Sequence, residues 1–257
     1  MRVAIVLGSL ALGGAERQAL LLAEGLRRRG GVEVRIFGLG APGAASALAA
    51  ASSFVCRALP RVESRWPALS LLRVARAALR VRRWRPDVLI PFTAPANLLA
   101  GLGRSLHGAR TLWNQRDAGM NRPPPWLERR AILHAGWPVA NGPEAADFLV
   151  RLGVPAQRIA IIPNGVAHQR STEGTVALRA RFGVPPRAWL ATMVANLSPA
   201  KDHATLLRGW AAARLKAAGT VRLLMAGRDD GRLDGLRLLA SDLGIADEVV
   251  FPGAIKD

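Results

Sequence analysis

Short, unbroken apolar runs alternate with amphipathic stretches along almost the whole chain, and this alternation restricts the fold more than any other feature. Residues 3–7 are apolar without interruption and end at Gly8. A strand with that pattern is buried on both faces, as in a parallel sheet covered by helices. Residues 15–29 follow, with Leu20, Leu21, Ala23 and Leu26 at helical spacing around Glu24. Gly30-Gly31 supplies the positive-φ freedom that ends such a helix, and residues 32–37 read as the next strand. A strand–helix–strand unit of this kind implies a right-handed crossover in one parallel sheet.

The pattern continues. Further strands are expected at 54–57, 88–91, 110–113, 137–140 and 159–162, with helices near 68–84, 96–106, 126–134 and 142–152. After Pro163-Asn164-Gly165 come a polar stretch, a short helix to Phe182 and a turn at Pro185-Pro186. Strands are then expected at 189–195, 221–226 and 249–251, with helices at 202–218 and 231–243. The organisation is α/β throughout: a Rossmann-like doubly wound domain over residues 1–165 and an incomplete second one over 166–257. Ligands in such sheets bind outside the carboxyl ends of the strands. The loops after Leu7, Ile90, Trp113, Ala195 and Ala226 therefore matter most.

Charge is a weaker guide. Lys and Arg number 36 against 18 Asp and Glu, a formal net charge of +18. The cations are almost all Arg, with Lys only at Lys201, Lys216 and Lys256, and Tyr is absent. That bias fits a GC-rich genome better than a selected polyanionic partner. The arginines are spread along the chain without a base-stacking aromatic cluster, so nucleic acid is not expected. The single Cys56 rules out an intrachain disulfide, and the four histidines show no ligand spacing. No apolar run approaches the roughly 20 residues that span a bilayer. Met1 to Leu12 reads as a buried strand and Gly loop, not a signal peptide, since Gly8 breaks it and an Ala-x-Ala site is lacking.

Four local features carry chemistry, each with a plain structural alternative. Residues 8–17 (GSLALGGAER) place glycines at a strand-to-helix turn, where helix N-terminal amides bind anions or sugar hydroxyls and a Cβ would obstruct approach. A tight turn without a ligand explains them equally well. Residues 197–203 (LSPAKDH) place Lys201 after the first strand of the second domain, where it can neutralise a diphosphate or be an ordinary surface lysine. Residues 113–117 (WNQRD) put polar side chains at a strand's carboxyl end, as site residues or as a structural Arg116–Asp117 pair. The helix near 68–84 presents Arg73, Arg76, Arg80 and Arg83 opposite Val74, Ala75, Ala78 and Val81, flanked by Trp66 and Trp84. It reads as a solvated outer face or as a surface for anionic lipid.

Together these motifs resemble one family. Gly13-Gly14-Ala15-Glu16-Arg17 resembles the opening of retaining glycosyltransferases of the group 1, glycogen synthase-like type. Residues 148–155 with 162–166 (IPNGV) are similar to the stretch entering that family's second domain, and residues 196–203 to its donor-phosphate loop. Residues 87–100 and 113–119 look like members that build surface polysaccharides. The resemblance implies the GT-B arrangement, two Rossmann-like domains facing across a cleft. It implies transfer of a sugar from a nucleotide-diphosphate sugar to a glycan or lipid-linked acceptor, in cytoplasm or at the inner membrane face. It places Gly13, Gly14, Asn196, Ser198 and Lys201 at the donor, and Glu16, Thr93, Asn97, Arg116 and Asp117 on the acceptor side. Asn164 and Gly165 mark the interdomain connection. No cofactor or metal is expected, and no catalytic residue is assigned.

The departures from that family are specific. Asn196 stands where an Arg is usual, Ala167 where an Asp follows Asn-Gly-Val, and Phe92-Thr93 where many members carry a His. The paired glutamates that contact the donor lie beyond the end of this sequence, and a domain of ordinary size needs roughly a hundred more residues. A half-built sheet exposes an apolar edge, so the chain alone is expected to be poorly soluble or inactive. A non-catalytic sugar-nucleotide or phosphate-binding module is the alternative.

Overall fold

The computed structural model describes residues 1–62, 67–117, 125–166, 173–214 and 219–255. Trp66, Gly119 and Ala167, singled out from sequence, lie outside these residues. The chain divides into two compact units, Met1–His168 and Gln169–Asp257.

The first unit is built on a seven-stranded sheet. Its strands are β1 (Arg2–Leu7), β2 (Glu33–Leu39), β3 (Cys56–Leu59), β4 (Val88–Phe92), β5 (Arg110–Gln115), β6 (Trp137–Ala140) and β7 (Ala160–Ile161). All neighbours are parallel, in the order β3-β2-β1-β4-β5-β6-β7. Alternate residues of β1 supply two cores. Val3, Ile5 and Leu7 meet Ala19, Leu20 and Ala23 of α1 (Gly14–Arg28), with Ala49 of α2 (Ala44–Ala51). Ala4 and Val6 turn the other way, towards Ala77 and Ala78 of α3 (Pro67–Arg82) and Leu99 of α4 (Ala94–Leu102). Burial on both faces is what an uninterrupted apolar run demands.

Two helices depart from the sequence expectation. The alanine-rich α2 was not anticipated at all. The helix expected at 96–106 is two, because α4 stops at Gly103 and α5 (Arg104–His107) restarts there. A Cβ on Gly103 would stand 2.6 Å from the Leu99 carbonyl oxygen and 2.9 Å from Ala78 Cβ. Beyond lie α6 (Pro125–His134) and α7 (Pro143–Arg151), which share a third core with Trp113. Trp84 is no surface flank of α3. It is 7% exposed, tilted against Phe37 at 6.1 Å, with the Arg35 guanidinium 4.8 Å above its ring.

The second unit begins with α8 (Thr175–Arg181) and continues through β8 (Trp189–Val194), α9 (His203–Arg214), β9 (Val221–Ala226), α10 (Leu233–Asp242) and β10 (Val249–Gly253). Its three parallel strands run β10-β9-β8 around Leu197, Leu207, Leu223, Met225 and Leu236. Among the described strands β8 pairs only with β9, and Trp189 and Val194 on it are 74% and 81% exposed.

Two stability outcomes follow from this packing. A Cβ on Gly101 would lie 2.2 Å from the Ala131 carbonyl oxygen, so α4 and α6 touch backbone to backbone there. Gly101→Ala is expected to cost about 1–3 kcal/mol by overpacking. Gly25→Ala, in α1 with nothing within 4 Å, should instead gain about 0.5–1 kcal/mol. Urea titration of both variants distinguishes them. The buried His107 takes the Ala109 amide on Nδ1 (3.1 Å) and donates from Nε2 to the Ala100 carbonyl (3.2 Å). That arrangement needs the neutral ring, and burial pushes its pKa below the ordinary value. The unfolded chain, with a His pKa near 6.5, then binds the proton first. Stability from this site is present above about pH 6.5 and is lost as pH falls below it. His107→Gln should flatten that part of a stability-versus-pH curve.

Candidate functional site

Strand order reverses between β1 and β4, so the chain leaves these two neighbours in opposite directions and opens a crevice at their carboxyl ends. Gly8 and Thr93 lie side by side in it. The Gly8 amide donates to the Phe92 carbonyl at 3.1 Å, and a Cβ on Gly8 would fall 1.9 Å from Thr93 Oγ1. Thr93 precedes α4 with φ 79° and ψ 161°, a region that β-branched residues avoid. Its Oγ1 is buried and has no hydrogen-bond partner in the structure.

The glycine loop enters α1 beside this pair. Gly13 is the N-cap of α1, and Glu16 in the first turn is 7% exposed. Ser9 Oγ donates to Glu16 Oε1 at 3.2 Å, and the positive end of the helix favours a carboxylate there. Gly13 is extended, and Gly14 has nothing within 4 Å of a Cβ position. Neither backbone strain nor internal crowding requires glycine at 14. What its bare surface leaves is open access to the first amides of α1, which lack partners inside the helix.

The carboxyl end of β5 completes the cluster. Arg116 stacks over Phe92, 5.0 Å from the ring centroid, and donates from Nη2 to Asn164 Oδ1 at 2.6 Å. Partial burial lowers its pKa, while the attraction of Glu16 raises it. Gln115 Nε2 donates to Asp117, at 2.9 Å to the carbonyl and 3.0 Å to Oδ1. Gln18 grips the Asn164-Gly165 turn in both directions: Nε2 to the Gly165 carbonyl at 2.6 Å, and Oε1 from the Gly165 amide at 2.9 Å. Sequence reasoning passed over Gln18, one helical turn from the glycines. Asn97 differs from the others. It is 2% exposed, and its amide takes the Asn114 amide and donates to the Asn114 carbonyl. With those bonds made, Asn97 brackets α4 to β5 and is closed to a ligand.

Next to the crevice is a cavity of about 390 Å³, bounded by residues 8–11, the turn after β2, Pro95, Val62 and Arg61. Arg61 is the one charged side chain among its described lining residues. No three His, Cys, Asp or Glu side chains converge among the described residues.

In the second unit, Ser198 stands at the N-cap position of a 3-10 turn over Pro199–Lys201 without a side-chain capping bond, and Asp202 follows with φ 46° before α9. Lys201 is exposed. The loop is laced to the one after β9: Leu197 and Arg228 bond at 2.8 Å, and Asp230 and Leu197 at 3.2 Å. A Cβ on Gly227 would lie 1.9 Å from the Ala195 carbonyl oxygen, so this approach requires glycine. Asn196 donates to Asp230, which also pairs with Arg228 at 2.8 Å, chiefly through a hydrogen bond that holds the Asp230 carboxyl low. Asp229 Oδ1 caps α10 through the amides of Gly231, Arg232 and Leu233. Arg228 was not anticipated; a cation two residues past a strand's carboxyl end is the signal that marks it. His203 is 3% exposed, and neither ring nitrogen has a partner in the structure.

The Gly8–Thr93 contact has a direct test. Gly8→Ala should destabilise by about 1–3 kcal/mol in the natural background, and much less when combined with Thr93→Gly. Equal losses in both backgrounds, by chemical denaturation, would remove the contact as the cause.

D-inositol 3-phosphate glycosyltransferase of Rhodococcus jostii (strain RHA1) is 38% identical over 133 residues, 48% of this chain and 29% of that relative. The matched part is thus under a third of the relative's length. Anabaena HepE in complex with UDP and glucose superposes with a TM-score of 0.81 at 19% identity, covering 100% of this chain and 70% of that one. UDP-GlcNAc 2-epimerase from Methanocaldococcus jannaschii gives a TM-score of 0.61 at 11% identity, with 100% and 74% covered. These likenesses show the GT-B fold. A family model, Glycosyltransferase Family 4, matches residues 12–170. With more than half of its length in that match, the chain belongs to Glycosyltransferase Family 4.

Proposed function

We propose that the protein is part of a glycosyltransferase that moves a sugar from a nucleotide-diphosphate sugar to a glycan or lipid-linked acceptor. The observation that carries the reading is the pair of open cationic or amide-rich loops at strand carboxyl ends, in a chain of this family. In the first unit these are the α1 N-terminus, open at Gly14, and the cavity beside it. In the second it is the exposed Lys201 on the loop before α9. HepE, which shares the fold, holds UDP and glucose. The R. jostii relative is named for D-inositol 3-phosphate, and an acceptor with an anionic group suits Arg61 in the cavity.

The chemistry follows from where charge develops. The bond between the anomeric carbon and the diphosphate oxygen breaks, and that carbon bonds to an acceptor hydroxyl oxygen, whose proton passes to the departing diphosphate. Negative charge grows on the departing diphosphate. Lys201 stabilises it electrostatically, with Ser198 and Asn196 as hydrogen-bonding neighbours. The amides beside Gly13-Gly14 meet the transferred sugar or its phosphate. Glu16, Thr93, Arg116 and Asp117 belong to the acceptor side, and Asn164-Gly165 to the interdomain connection. Retention of anomeric configuration, a role in surface glycoconjugate synthesis and a location at the inner membrane face belong to the same reading. No metal has a part in it.

Thermal unfolding with UDP-sugars provides the test. A donor at about a hundred times its Kd should stabilise the folded chain by about 2.7 kcal/mol. Lys201→Ala should abolish most of that gain. Gly14→Ala should reduce it without lowering the unliganded melting temperature. A folded protein that no nucleotide sugar stabilises would overturn the reading.

A further inference from the structure

Two cations stand on the loops at the carboxyl ends of β8 and β9. Lys201, on the first loop, is exposed and forms no ion pair among the described residues. Arg228, just past the end of β9, is the other. The backbones of the two loops lie directly against each other. The Leu197 amide donates to the Arg228 carbonyl at 2.8 Å, and the Asp230 amide donates to the Leu197 carbonyl at 3.2 Å. A Cβ on Gly227 would stand 1.9 Å from the Ala195 carbonyl oxygen and 3.0 Å from Asn196 Cα. Residues 195–197 and 227–230 are thus held together as one rim.

The carboxylates of this rim have different work. Asp202 Oδ1 accepts from the Thr205 amide at 3.4 Å, at the start of α9. Asp229 Oδ1 accepts from the amides of Gly231, Arg232 and Leu233, at the start of α10. Asp230 instead meets side chains. Its Oδ1 accepts from Arg228 Nε at 2.8 Å, and the Asn196 side chain donates to the same carboxyl group. The Asn196 amide and the Arg228 guanidinium are therefore each one hydrogen bond from a single carboxylate. Two successive loops bring their polar groups to one place.

We propose that Arg228 is the second cation of the diphosphate site, and that Asp230 is the counter-ion a diphosphate displaces from it. This deepens the donor reading of the Lys201 loop and rests on it. A diphosphate carries two adjacent anionic groups, and lysine meets them as a point charge, whereas the planar arginine fork bonds two oxygens at once. The Arg228–Asp230 pair is open to water, with the two side chains 53% and 32% exposed. Such a pair adds little to stability, so exchanging the carboxylate for a phosphate disturbs nothing buried. Nor is the pair needed as a brace, because the backbone bonds and the Gly227 contact already join the loops. Asp230 keeps the Asn196 amide as a partner once Arg228 has turned to the ligand.

Isothermal titration calorimetry of the 257-residue chain with UDP, and with inorganic pyrophosphate, tests the proposal. Arg228→Gln should weaken binding of both by roughly tenfold or more, the loss of a charge-assisted hydrogen bond. Its urea midpoint should stay at the natural value, since the pair is exposed. Asp230→Asn removes the competing charge and should tighten binding severalfold, where a merely structural pair would leave it unchanged or weaker. Asn196→Arg, added to Arg228→Gln, places a guanidinium at the same carboxylate and should restore most of the affinity. Lys201→Ala tests the donor reading itself. If Lys201→Ala weakens binding while Arg228→Gln and Asp230→Asn bind like the natural protein, the role of Arg228 is overturned and the donor reading stands. It is overturned too if Asp230→Asn weakens binding as Arg228→Gln does and Asn196→Arg restores nothing. If the folded chain binds neither probe, or Lys201→Ala changes nothing, the donor reading fails and the role of Arg228 fails with it.

Discussion

The first unit depends on one close approach: the backbone of Gly8 against Thr93, at the point where strand order reverses. β1 and β4 are hydrogen-bonded neighbours up to that point, and the Gly8 amide adds one more bond to the Phe92 carbonyl. Any side chain at position 8 would occupy the space of the Thr93 hydroxyl. With that contact made, the chain after β1 turns one way into the glycine loop, and the chain after β4 turns the other way into α4. The crevice is the gap between two such departures. Thr93 holds a backbone conformation of the kind that costs a side chain about 1–3 kcal/mol, and such strain survives only where the surroundings leave no alternative. Buried β1 and β4 on one side and the fully buried middle of α4 on the other supply that restraint.

Around this point the polar groups hold one another in place. Glu16 takes a hydrogen bond from Ser9 and lies near enough to Arg116 for mutual attraction. Arg116 stacks on Phe92 and reaches Asn164, and Gln18 clamps the next residue, Gly165. A single chain of contacts therefore ties the ends of β1, β4 and β5 to the Asn-Gly turn. Rigid first contacts of this kind limit the reorganisation that a ligand must induce. The surface left bare inside the frame is that of Gly14, since Glu16 Oε2 lies 2.8 Å from where a Gly13 Cβ would stand.

Much of the architecture was legible because burial on both faces leaves a distinctive trace. β1 reads as a strand since Val3, Ile5 and Leu7 serve one core while Ala4 and Val6 serve the other. The α2 helix left no such trace: residues 41–53 are almost all alanine, glycine and serine, and alanine favours helix without marking a face. The break between α4 and α5 was hidden for another reason. Gly103 is required by contacts with Leu99 and Ala78, and the distance between those residues in sequence carries no sign of it. Among site residues, position at a strand's carboxyl end pointed to Arg116, while Thr93 and Asn97 entered through the family resemblance. Asn97 lies on α4 and its partner Asn114 on β5, so only the fold shows its amide to be engaged.

The second unit shows how a substitution at one loop is met by a residue on the next. By the family resemblance, Asn196 stands where an Arg would be expected, and an amide cannot neutralise a diphosphate. The structure brings Arg228 to the same carboxyl edge, because Gly227 lets the β9 loop lie directly against Ala195. Arg228 is paired with Asp230, to which Asn196 also donates. Such an exposed pair in water is weak, so an arriving dianion can exchange for Asp230 without breaking anything buried. Lys201 forms no ion pair among the described residues and needs no exchange. An anion at this edge would therefore meet Lys201 first. Arg228 would be recruited only as far as the ligand's charge outcompetes that of Asp230, while Asn196 would hold the displaced carboxylate near its place.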